Sequence, residues 1–431
     1  MNIAILGFGL QGLSAYKYWG KPGNQITICD ANEKLAAPEG VQVQLGVDYL
    51  HNLERFDLIV RSPSIHPQDI VAANNTDILA KVTTPTNEFL RICPTKQVIG
   101  ITGTKGKGTT STLVAKMLEA NGKTVHLGGN IGIAPLELLD NIQPEHWLVL
   151  ELANFQLIDL RYSPPIAACL MVVPEHLNWH TDMDEYIEAK QQLFVYQKPE
   201  DVAIYFADNL TSHEVASVSP GAKIAYYSEP GALVKNEQIV IDNQVICGVS
   251  DLKLLGKHNW QNACAAATIV WQVEQNVAAI RSVLTTFSGL EHRLEFVRTV
   301  NGADYYDDSF GTTPETAIVA IEAFTQPKVI ILGGSDKNAM YDQLAKTVIG
   351  SNVRHAVVIG DTGPAIASAL RNAGFEAITP GGLTMEEIVA EAQKQAKSGD
   401  IVLLSTGCAS FGLFDNYKDR GNKFQTAVGA L

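Results

Sequence analysis

A glycine-rich stretch early in the second hundred residues carries two lysines, with three threonines and a serine directly after them. It reads GITGTKGKGTTSTLV over residues 100–114, follows an apolar run and leads into the helical pattern TLVAKMLEANG. At the N-terminus of a helix, small residues let backbone N–H groups converge on phosphate oxygens, and Lys107 adds a positive charge. The stretch therefore predicts a strand, a phosphate-binding loop and a helix.

This loop departs from the strict phosphate-loop motif at two places. Ile101 stands where the first glycine is expected, and Gly108 follows Lys107 directly. The hydroxyl that binds magnesium must then come from Thr109 or Thr110. A glycine-rich turn without a ligand is the alternative, but the preceding strand, the lysines and the following helix favour a phosphate.

A second glycine pattern, GFGLQG, lies directly after the first apolar run of the chain. It places Gly7, Gly9 and Gly12 between a predicted strand and a helix, and Asp30 ends the second predicted strand. These features fit the fingerprint of a fold that binds a dinucleotide or a nucleotide sugar, with the acid directed at a ribose or base. An NAD-dependent oxidoreductase is the alternative for this part of the chain alone, and it leaves the lysine-bearing loop unexplained.

The middle of the chain carries polar groups at the predicted ends of strands. Glu151 ends the run WLVLE, and His176 follows the run CLMVV. A carboxylate beside a phosphate loop suits Mg²⁺, which prefers oxygen ligands, whereas a histidine is a less usual partner. Asn259 and Asn262 lie one helical turn apart and either contact a nucleobase, brace the loop, or are buried amides satisfied by the backbone. Lys190 falls on an amphipathic helix, where a solvated lysine is the simplest interpretation.

The last part of the chain contains Arg293, Asp308, Lys337 and Ser410 at predicted strand ends or glycine-rich turns. Turn formation and solvation explain some of these residues. An arginine and a lysine near one edge of a sheet also suit an anionic substrate or the charge of a phosphate in transfer.

Short β-rich runs alternate with longer amphipathic stretches throughout, which predicts an α/β fold with parallel sheets. With 431 residues the chain is too long for one ordinary core. We expect three domains, 1–94, 95–290 and 291–431. Parallel strands end at one edge of each sheet, and ligands are expected there.

Composition excludes several classes of protein. The net charge is −14 and there is no basic stripe, so nucleic acid is not expected as a partner. No run of eighteen or more apolar residues and no cleavable leader is evident, so we expect no membrane partner and a cytoplasmic location. The six scattered cysteines include no C-x-x-C pair, which predicts reduced, buried thiols.

Several motifs occur together in one order along the chain: GITGTKGKGTT, GGNIG, LELANFQL, PEHLNWH followed by YIEAK, KHNWQNACAAA, LEHRLE, LGGSDK and LLSTGCASFGLFDNYKDRGNKF. Over essentially its whole length the sequence resembles the Mur ligase family. The resemblance implies a Rossmann-like N-terminal domain that binds UDP, a P-loop ATPase-like central domain that binds ATP and magnesium, and a Rossmann-like C-terminal domain. It implies an ATP-dependent amide ligase of peptidoglycan precursor synthesis, with UDP-N-acetylmuramoyl-L-alanine and D-glutamate as substrates, acting as a monomer.

The resemblance also implies roles by position. Residues implied to act in catalysis are Lys107, His176, Lys190 and Asn130. Those implied for ATP are Gly103, Thr104, Lys105, Gly106, Lys107, Gly108 and Thr109 at the phosphates, Asn259 and Asn262 near adenine, and Arg293 and Asp308 beside the nucleotide. Those implied for two Mg²⁺ ions are Thr109, Glu151, His176 and Lys190, the last as a carbamate. Those implied for the substrates are Leu10, Gln11, Asp30 and Ala31 at the UDP, and Thr312, Lys337, Ser410 and Tyr417 at D-glutamate.

The chain departs from the family pattern at four places. Ala153-Asn154 replaces a serine pair, Ser64 replaces a glycine, Phe310 replaces a basic residue and Gly412 replaces an acidic one. These changes leave the choice of amino acid and sugar peptide open without touching the phosphate loop. A folylpolyglutamate synthase-like ligase and a non-catalytic nucleotide-binding regulator are the alternative functions, although the glycine pattern at residues 7–12 disfavours the former and the retained Lys107 the latter.

Overall fold

Strands and helices alternate along the chain, so the predicted α/β class is confirmed. The structure is a computed structural model, and it describes residues 1–130, 133–254, 256–335 and 339–431. It divides the chain into one unit of Met1–Leu252 with Lys257–Phe287 and a second unit of Lys253–Gly256 with Ser288–Leu431. The predicted domain limits stay predictions, because the sheets of the first two predicted domains share this first unit.

The first sheet of the first unit is parallel, with its strands in the order β3-β2-β1-β4-β5. Its strands are β1 (Asn2–Leu6), β2 (Gln25–Asp30), β3 (Gln42–Leu45), β4 (Leu58–Arg61) and β5 (Val82–Thr83). The helices between them are α1 (Leu10–Trp19), α2 (Pro67–Ala73) and α3 (Pro85–Ile92). This order places the glycine turn after β1 next to the ends of β2 and β4.

The second sheet of the same unit is also parallel, in the order β11-β10-β9-β6-β8-β7. Its strands are β6 (Val98–Thr102), β7 (Val125–Gly129), β8 (Trp147–Glu151), β9 (Ile166–Cys169), β10 (Val202–Phe206) and β11 (Ala222–Tyr226). The helices of this segment are α4 (Lys107–Ala120), α5 (Pro135–Leu138), α6 (Asn154–Leu157), α7 (Met183–Val195) and α8 (Leu210–Ser217). An antiparallel sheet follows with β12 (Leu233–Lys235), β13 (Gln238–Ile241) and β14 (Gln244–Gly248), and then α9 (His258–Trp271) and α10 (Val277–Thr286).

The sheet of the second unit has the order β15-β16-β20-β17-β18-β19, with only the β15–β16 pair antiparallel. Its strands are β15 (Glu295–Val300), β16 (Ala303–Asp307), β17 (Lys328–Gly333), β18 (Val353–Ile359), β19 (Ile378–Pro380) and β20 (Ile401–Leu404). Its helices are α11 (Pro314–Glu322), α12 (Asp342–Gly350), α13 (Gly363–Asn372), α14 (Met385–Gln395) and α15 (Tyr417–Gly429). Short 3₁₀ turns elsewhere in the chain cover Leu53–Arg55, Thr76–Lys81, Leu139–Asn141 and Val249–Asp251.

One hydrophobic core of the first unit includes residues from both of its parallel sheets. Ile3 and Val60 of the first sheet belong to the same cluster as Leu148 and Ala167 of the second. Burial of apolar surface is the dominant favourable term in folding, so this shared core holds the two sheets in one unit. All six cysteines are buried and free, as predicted. Among the described residues, no helix is both long and apolar enough to cross a membrane.

Candidate active site

The glycine-rich stretch forms the predicted strand, loop and helix. The buried strand β6 ends at Thr102, and α4 begins at Lys107. Gly106 has a φ of 88°, and a Cβ atom built on it would lie 2.2 Å from Oδ1 of Asn262. A side chain at residue 106 would be strained and would also collide with that amide, which explains the glycine. The backbone N–H groups at the N-terminus of α4 therefore follow the glycine directly, and they form a candidate anion site.

Lys107 and Lys190 meet at one backbone carbonyl of this loop. Lys107 Nζ donates hydrogen bonds to the carbonyl oxygens of Gly103, at 3.0 Å, and Thr104, at 3.1 Å. Lys190 Nζ lies 3.4 Å from the same Gly103 oxygen. The loop thus gathers two lysine nitrogens at the end of β6, where the sequence predicts bound phosphate.

Lys190 is fully buried, which excludes the solvated lysine considered from the sequence. Its Nζ lies 4.2 Å from the ring centroid of Tyr186, one helical turn earlier on α7. The hydroxyl of Tyr186 is 2.8 Å from Oγ1 of Thr104, so α7 is tied to the phosphate loop. Burial, and then the charge of Lys107, lower the pKa of Lys190 to about 7. A large share of this lysine is therefore an uncharged amine at neutral pH.

A buried carboxylate lies at the end of a neighbouring strand. Glu151 ends β8, pairs with Ile101 of β6, and is 2% exposed. Asn130 follows β7, and its Nδ2 donates a hydrogen bond of 3.3 Å to Oε1 of Glu151. The hydroxyl-bearing Thr109 is buried in the first turn of α4. Carboxylate and hydroxyl oxygens are donors that a hard cation such as Mg²⁺ accepts.

His176 lies on the loop after β9 in a left-handed backbone conformation, with φ of 60°. Its ring contacts the ring of Phe155, with centroids 4.8 Å apart. Burial lowers its pKa; Glu175, 3.8 Å from its Nε2, opposes this, while Lys107 and other nearby lysines add to it. Neutral imidazole is the form that binds a metal, and the environment of His176 favours it.

The two amides of α9 contact each other and the phosphate loop. Asn262 Nδ2 donates a hydrogen bond of 2.9 Å to Oδ1 of Asn259, and both residues are buried. Asn262 Oδ1 lies 3.5 Å from Oγ1 of Thr110 and faces Gly106. This geometry favours the bracing role considered from the sequence, whereas contact with adenine stays a prediction.

The glycine turn after β1 is held by two polar side chains. Asp30 accepts hydrogen bonds of 2.8 Å from the backbone N–H groups of Phe8 and Asn32. The hydroxyl of Ser62 donates to the carbonyl of Gly7 at 2.7 Å. A Cβ atom at Gly12 would lie 2.0 Å from that same carbonyl oxygen, so α1 can approach the turn only with glycine there. Asp30 therefore shapes the turn, and its predicted contact with UDP remains a prediction.

The other residues predicted at the UDP lie around this turn. Leu10 begins α1 and is 84% exposed, and Ala31, just after β2, is exposed as well. Gln11 is half-buried on the first turn of the same helix. Their positions at the carboxyl edge of the first sheet fit a ligand site, since ligands of open parallel sheets bind at that edge.

In the second unit, Asp308 follows β16 and is 5% exposed. It accepts hydrogen bonds from the hydroxyl of Ser405, at 2.7 Å, and the N–H of Leu294, at 3.2 Å. Burial raises its pKa to about 7, although the Ser405 bond and the charge of Arg293 act in the opposite direction. The guanidinium of Arg293 lies 5.5 Å from the ring centroid of Phe310. Phe310, which departs from the family pattern, therefore packs on a residue that is predicted to bind the nucleotide.

The raised pKa of Asp308 predicts a stability that depends on pH. From about pH 4 to about pH 7 the folded state holds a proton that the unfolded state has released, so the free energy of unfolding falls as pH rises through this range. Asp308→Asn should remove this penalty, because the amide oxygen can accept the N–H of Leu294 while Nδ2 donates to the hydroxyl of Ser405. We expect the gain over wild type to be about 2–3 kcal/mol larger at pH 8 than at pH 5.

Denaturant unfolding of both proteins at the two pH values measures this difference. Asp304→Asn is the matched control, because it also replaces a carboxylate of strand β16 by an amide. A gain from Asp308→Asn that is the same at pH 5 and pH 8 would show that Asp308 is not a buried acid with a raised pKa.

The predicted amino-acid site is only partly described. Ser410 is buried after β20, Thr312 and Tyr417 are half-buried, and Lys337 lies outside the described residues. Ser335, just after β17, donates its backbone N–H to the carbonyl of Ala409 at 2.9 Å. The end of β17 and the segment bearing Ser410 are therefore neighbours, as an anion site shared by the two would require.

A cavity of ≈ 600 Å³ also opens in the second unit, at the ends of β18 and β19. Its lining includes Asp361, Arg371 and Gly412 but neither Ser410 nor Tyr417. Among the described residues predicted to bind D-glutamate, none lines this cavity.

Tyr186 is a site residue that the sequence interpretation missed. It contacts both Lys190 and Thr104, and its position four residues before Lys190 on α7 was the available signal. Residues four apart share one face of a helix, so the resemblance that implies a role for Lys190 also points to Tyr186.

Comparison with protein families matches two parts of the chain to domains of one family. Residues 101–270 match the Mur ligase middle domain, and residues 292–408 match the Mur ligase, glutamate ligase domain. Two curated relatives, from Clostridium tetani and Acetivibrio thermocellus, are named UDP-N-acetylmuramoylalanine–D-glutamate ligase. They are 33% and 35% identical over 100% of this chain and over 97% and 96% of their own lengths.

Solved structures show the same fold. A UDP-N-acetylmuramate-alanine ligase from Thermotoga maritima matches with a TM-score of 0.59 and 17% identity, over 100% of this chain and 99% of its own. The MurF ligase of Thermotoga maritima, solved in complex with ADP, also has a TM-score of 0.59 and 17% identity, over 87% of this chain and 90% of its own. At such identity the likeness concerns architecture alone.

Proposed function

This chain belongs to the Mur ligase family, and we propose that it joins D-glutamate to UDP-N-acetylmuramoyl-L-alanine at the expense of ATP. The observation that carries the proposal is the pairing of Lys107 and Lys190 at the Gly103 carbonyl, in a chain that matches D-glutamate ligases over its full length. We assign residues 1–94 to the nucleotide sugar, 95–290 to ATP and 291–431 to the amino acid.

The chemical problem is that a free carboxylate is a poor acyl donor, because its leaving group would be oxide. In the proposed reaction, an oxygen of the alanine carboxylate attacks the γ-phosphorus of ATP, which releases ADP and leaves an acyl phosphate. The amine of D-glutamate then attacks the acyl carbon, and the tetrahedral intermediate expels phosphate as the amine loses a proton. No protein nucleophile is needed, so positioning and charge neutralisation are the protein's tasks.

We assign Lys107 the task of neutralising charge. Its Nζ is oriented by the Gly103 and Thr104 carbonyls at the N-terminus of α4, where backbone N–H groups also face an anion. A fixed positive charge in this half-buried position stabilises the charge on a phosphoryl group in transfer. The bracing of Gly106 by Asn262 keeps the loop in that conformation.

Three of the side chains proposed to bind Mg²⁺ have suitable donor atoms as they are. The fourth, Lys190, would have them only after a modification. The Glu151 carboxylate, the Thr109 hydroxyl and the His176 imidazole would hold the ion, which neutralises phosphate charge when bound. A lysine ammonium repels a cation, so Lys190 fits this set only as a carbamate, whose oxygens resemble a carboxylate. Addition of CO₂ to the neutral amine forms the N–C bond and releases one proton, and the burial of Lys190 beside Lys107 favours the neutral amine.

Phosphate release measured with combinations of substrates tests the proposed function. We expect release from ATP only when UDP-N-acetylmuramoyl-L-alanine and D-glutamate are both present, because the acyl phosphate needs its acceptor for turnover. L-Glutamate in place of the D isomer is the matched control. Release with a folate and L-glutamate would instead indicate the folylpolyglutamate-type ligase, and silence in every mixture would indicate a nucleotide-binding regulator.

A further inference from the structure

A buried polar cluster lies beside the phosphate loop and takes no part in the proposed chemistry. Oε2 of Glu185 accepts three hydrogen bonds, from Nε2 of His66 at 3.2 Å, Nδ1 of His180 at 3.1 Å and the backbone N–H of Thr181 at 2.9 Å. His66 and His180 are 7% and 3% exposed. Buried polar groups of this kind stabilise one arrangement of the chain only when each of them has a partner.

In each histidine ring, the contact of the nitrogen that faces away from Glu185 determines which ring nitrogen carries the proton. The backbone N–H of Gln68 donates to Nδ1 of His66 at 3.1 Å, so the proton of His66 is on Nε2. The amide Nδ2 of Asn154 lies 2.7 Å from Nε2 of His180, so the proton of His180 is on Nδ1 when that amide donates. With the Asn154 amide in that orientation, His66 and His180 donate from opposite ring nitrogens to one carboxylate oxygen.

One end of the cluster belongs to the first sheet. His66 ends the segment 62–66 that follows β4, and the hydroxyl of Ser62 in this segment holds the glycine turn at Gly7. Nε1 of Trp179 donates to the carbonyl of Ser64 at 3.4 Å. The segment thus connects the predicted nucleotide-sugar turn to the loop that follows β9 of the second sheet.

A buried arginine reinforces this connection. The guanidinium of Arg61 bonds the carboxylate oxygens of Asp159 at 2.6 and 2.8 Å and the carbonyl of Phe155 at 3.1 Å. It also donates to the carbonyl of Ile65 at 2.7 Å. Bidentate arginine–carboxylate pairs add geometric specificity, so the segment 62–66 is fixed in direction as well as in distance.

The other end of the cluster belongs to the predicted catalytic elements. Glu185 is on α7, five residues before Lys190. The ring of Trp179 contacts the rings of His66, with centroids 4.4 Å apart, and Phe155, at 4.8 Å. Phe155 in turn contacts His176 at 4.8 Å. A continuous set of contacts therefore runs from the segment 62–66 to both His176 and the helix of Lys190.

We propose that Glu185 is a positioning residue that, through His66 and His180, fixes the segment 62–66 against α7 and so sets the distance between the nucleotide-sugar turn and the phosphate loop. The inference rests on the proposed function, in which a carboxylate carried by the nucleotide sugar must reach a phosphorus held at Lys107. Reaction between two bound groups is sensitive to displacements of about 1 Å. Asn154, which departs from the family's serine pair, is the residue that orients His180.

Two histidines and a carboxylate are also a ligand set for a transition metal, and His66, His180 and Glu185 have ligand atoms within 4.8 Å of one another. A metal would need lone pairs on His66 Nε2 and His180 Nδ1. Both nitrogens carry protons as long as Gln68 and Asn154 donate to the opposite nitrogens. The hydrogen bonds therefore favour the positioning role over a metal.

The variant Glu185→Gln tests the inference, because it should change the kinetic parameters for the nucleotide sugar and not those for ATP. The neutral amide oxygen would accept these three hydrogen bonds more weakly than the carboxylate oxygen does, so the segment 62–66 should be held less firmly. We expect kcat/KM for the nucleotide sugar to fall about tenfold, the loss typical of a hydrogen bond to a charged group, while KM for ATP stays within about twofold of wild type. Glu188→Gln, at an exposed position of the same helix, should leave all parameters unchanged.

A pair of substitutions at His66 separates positioning from a general loss of stability. His66→Gln keeps a donor toward Glu185 and should retain most activity, whereas His66→Ala should behave like Glu185→Gln. A parallel change in the parameters for ATP and for the nucleotide sugar, or equal activity of the two His66 variants, would overturn the inference.

The tautomers can be read without any activity, which keeps a failure of this inference distinct from a failure of the proposed function. NMR of the protein labelled with ¹⁵N-histidine should show neutral rings protonated at Nε2 for His66 and at Nδ1 for His180. Charged rings, the opposite tautomers, or zinc bound stoichiometrically after addition of Zn²⁺ alone would overturn it. Absent ligase activity with the expected tautomers would refute the proposed function and leave the cluster as a structural connection only.

Discussion

Replacing Lys107 with alanine should abolish formation of the acyl phosphate while leaving the binding of the nucleotide sugar intact. Lys107 Nζ is held at the Gly103 and Thr104 carbonyls. Alanine at this position cannot replace its positive charge. Preorganised charges at a transferring phosphoryl group contribute factors of about 10³ or more, and we expect kcat to fall by at least that amount. The glycine turn at Gly7 and Gly12 belongs to another sheet, so affinity for the nucleotide sugar should be unchanged.

Trapping with hydroxylamine, which converts an acyl phosphate into a hydroxamate, measures the intermediate, and calorimetric titration measures binding of the nucleotide sugar. Lys116→Ala is the matched control, because Lys116 is exposed on the same helix α4. It removes one positive charge without touching the loop and should retain wild-type turnover. Hydroxamate formation by Lys107→Ala at a rate near that of wild type would remove the loop from the mechanism.

The phosphate loop was predictable because its signals are local. An apolar run, glycines at a turn and a helical pattern follow one another, and the structure has β6, the loop and α4 in that order. The neighbourhood of Glu151 and Asn130 follows from a rule nearly as simple. Both lie at the ends of parallel strands, and such ends share one edge of a sheet.

Burial of a charged side chain was not predictable in this way. Lys190 lies on an amphipathic helix where a lysine usually faces solvent, and only the packed structure shows that it is fully buried. The surroundings that bury it come from distant parts of the chain, including Gly103, which is 87 residues away. Residue types and spacing contain no record of such contacts, so only the resemblance to a family pointed to this residue.

The cluster around Glu185 had no signal in the sequence for the same reason. His66 and Glu185 are 119 residues apart, and His66 follows a proline-containing segment that predicts only a turn. Asp30 shows a subtler limit. The fingerprint predicts an acid at this position, but it does not reveal that the carboxylate also accepts the N–H of Phe8 and so shapes the turn itself.

Lys190→Ala should lower turnover about as severely as Lys107→Ala, because it removes the amine that we propose becomes a carbamate. The structure argues against a second role as a simple cation. Burial and the neighbouring Lys107 lower the pKa of Lys190 to about 7, so the ammonium form is disfavoured where it would be needed. Above pH 7 the amine is largely neutral, and the neutral amine is the form that adds CO₂.

The wild-type protein offers a test that does not depend on the folding of a variant. Activity should fall when dissolved CO₂ and bicarbonate are removed and should return when they are restored, with faster recovery at pH 8 than at pH 6 if the concentration of dissolved CO₂ is set equal at the two pH values. The direction follows from the lowered pKa, since the fraction of neutral amine rises through pH 7. Activity that is indifferent to bicarbonate at both pH values would contradict the carbamate.

Chemical rescue of the Lys190→Ala variant tests the proposed carbamate in a second way. The shortened side chain leaves space behind the Gly103 carbonyl, and a short carboxylic acid such as acetate or propionate can place its carboxylate where the carbamate would lie. We expect such acids to restore part of the turnover of Lys190→Ala, with amines of equal size having no effect, because a carboxylate and not a cation is missing. Lys198→Ala, at an exposed site beyond α7, should neither lose activity nor respond to added acids. Rescue by amines alone, or no rescue of a folded Lys190→Ala protein, would assign Lys190 a cationic role and leave Glu151 and His176 without this partner.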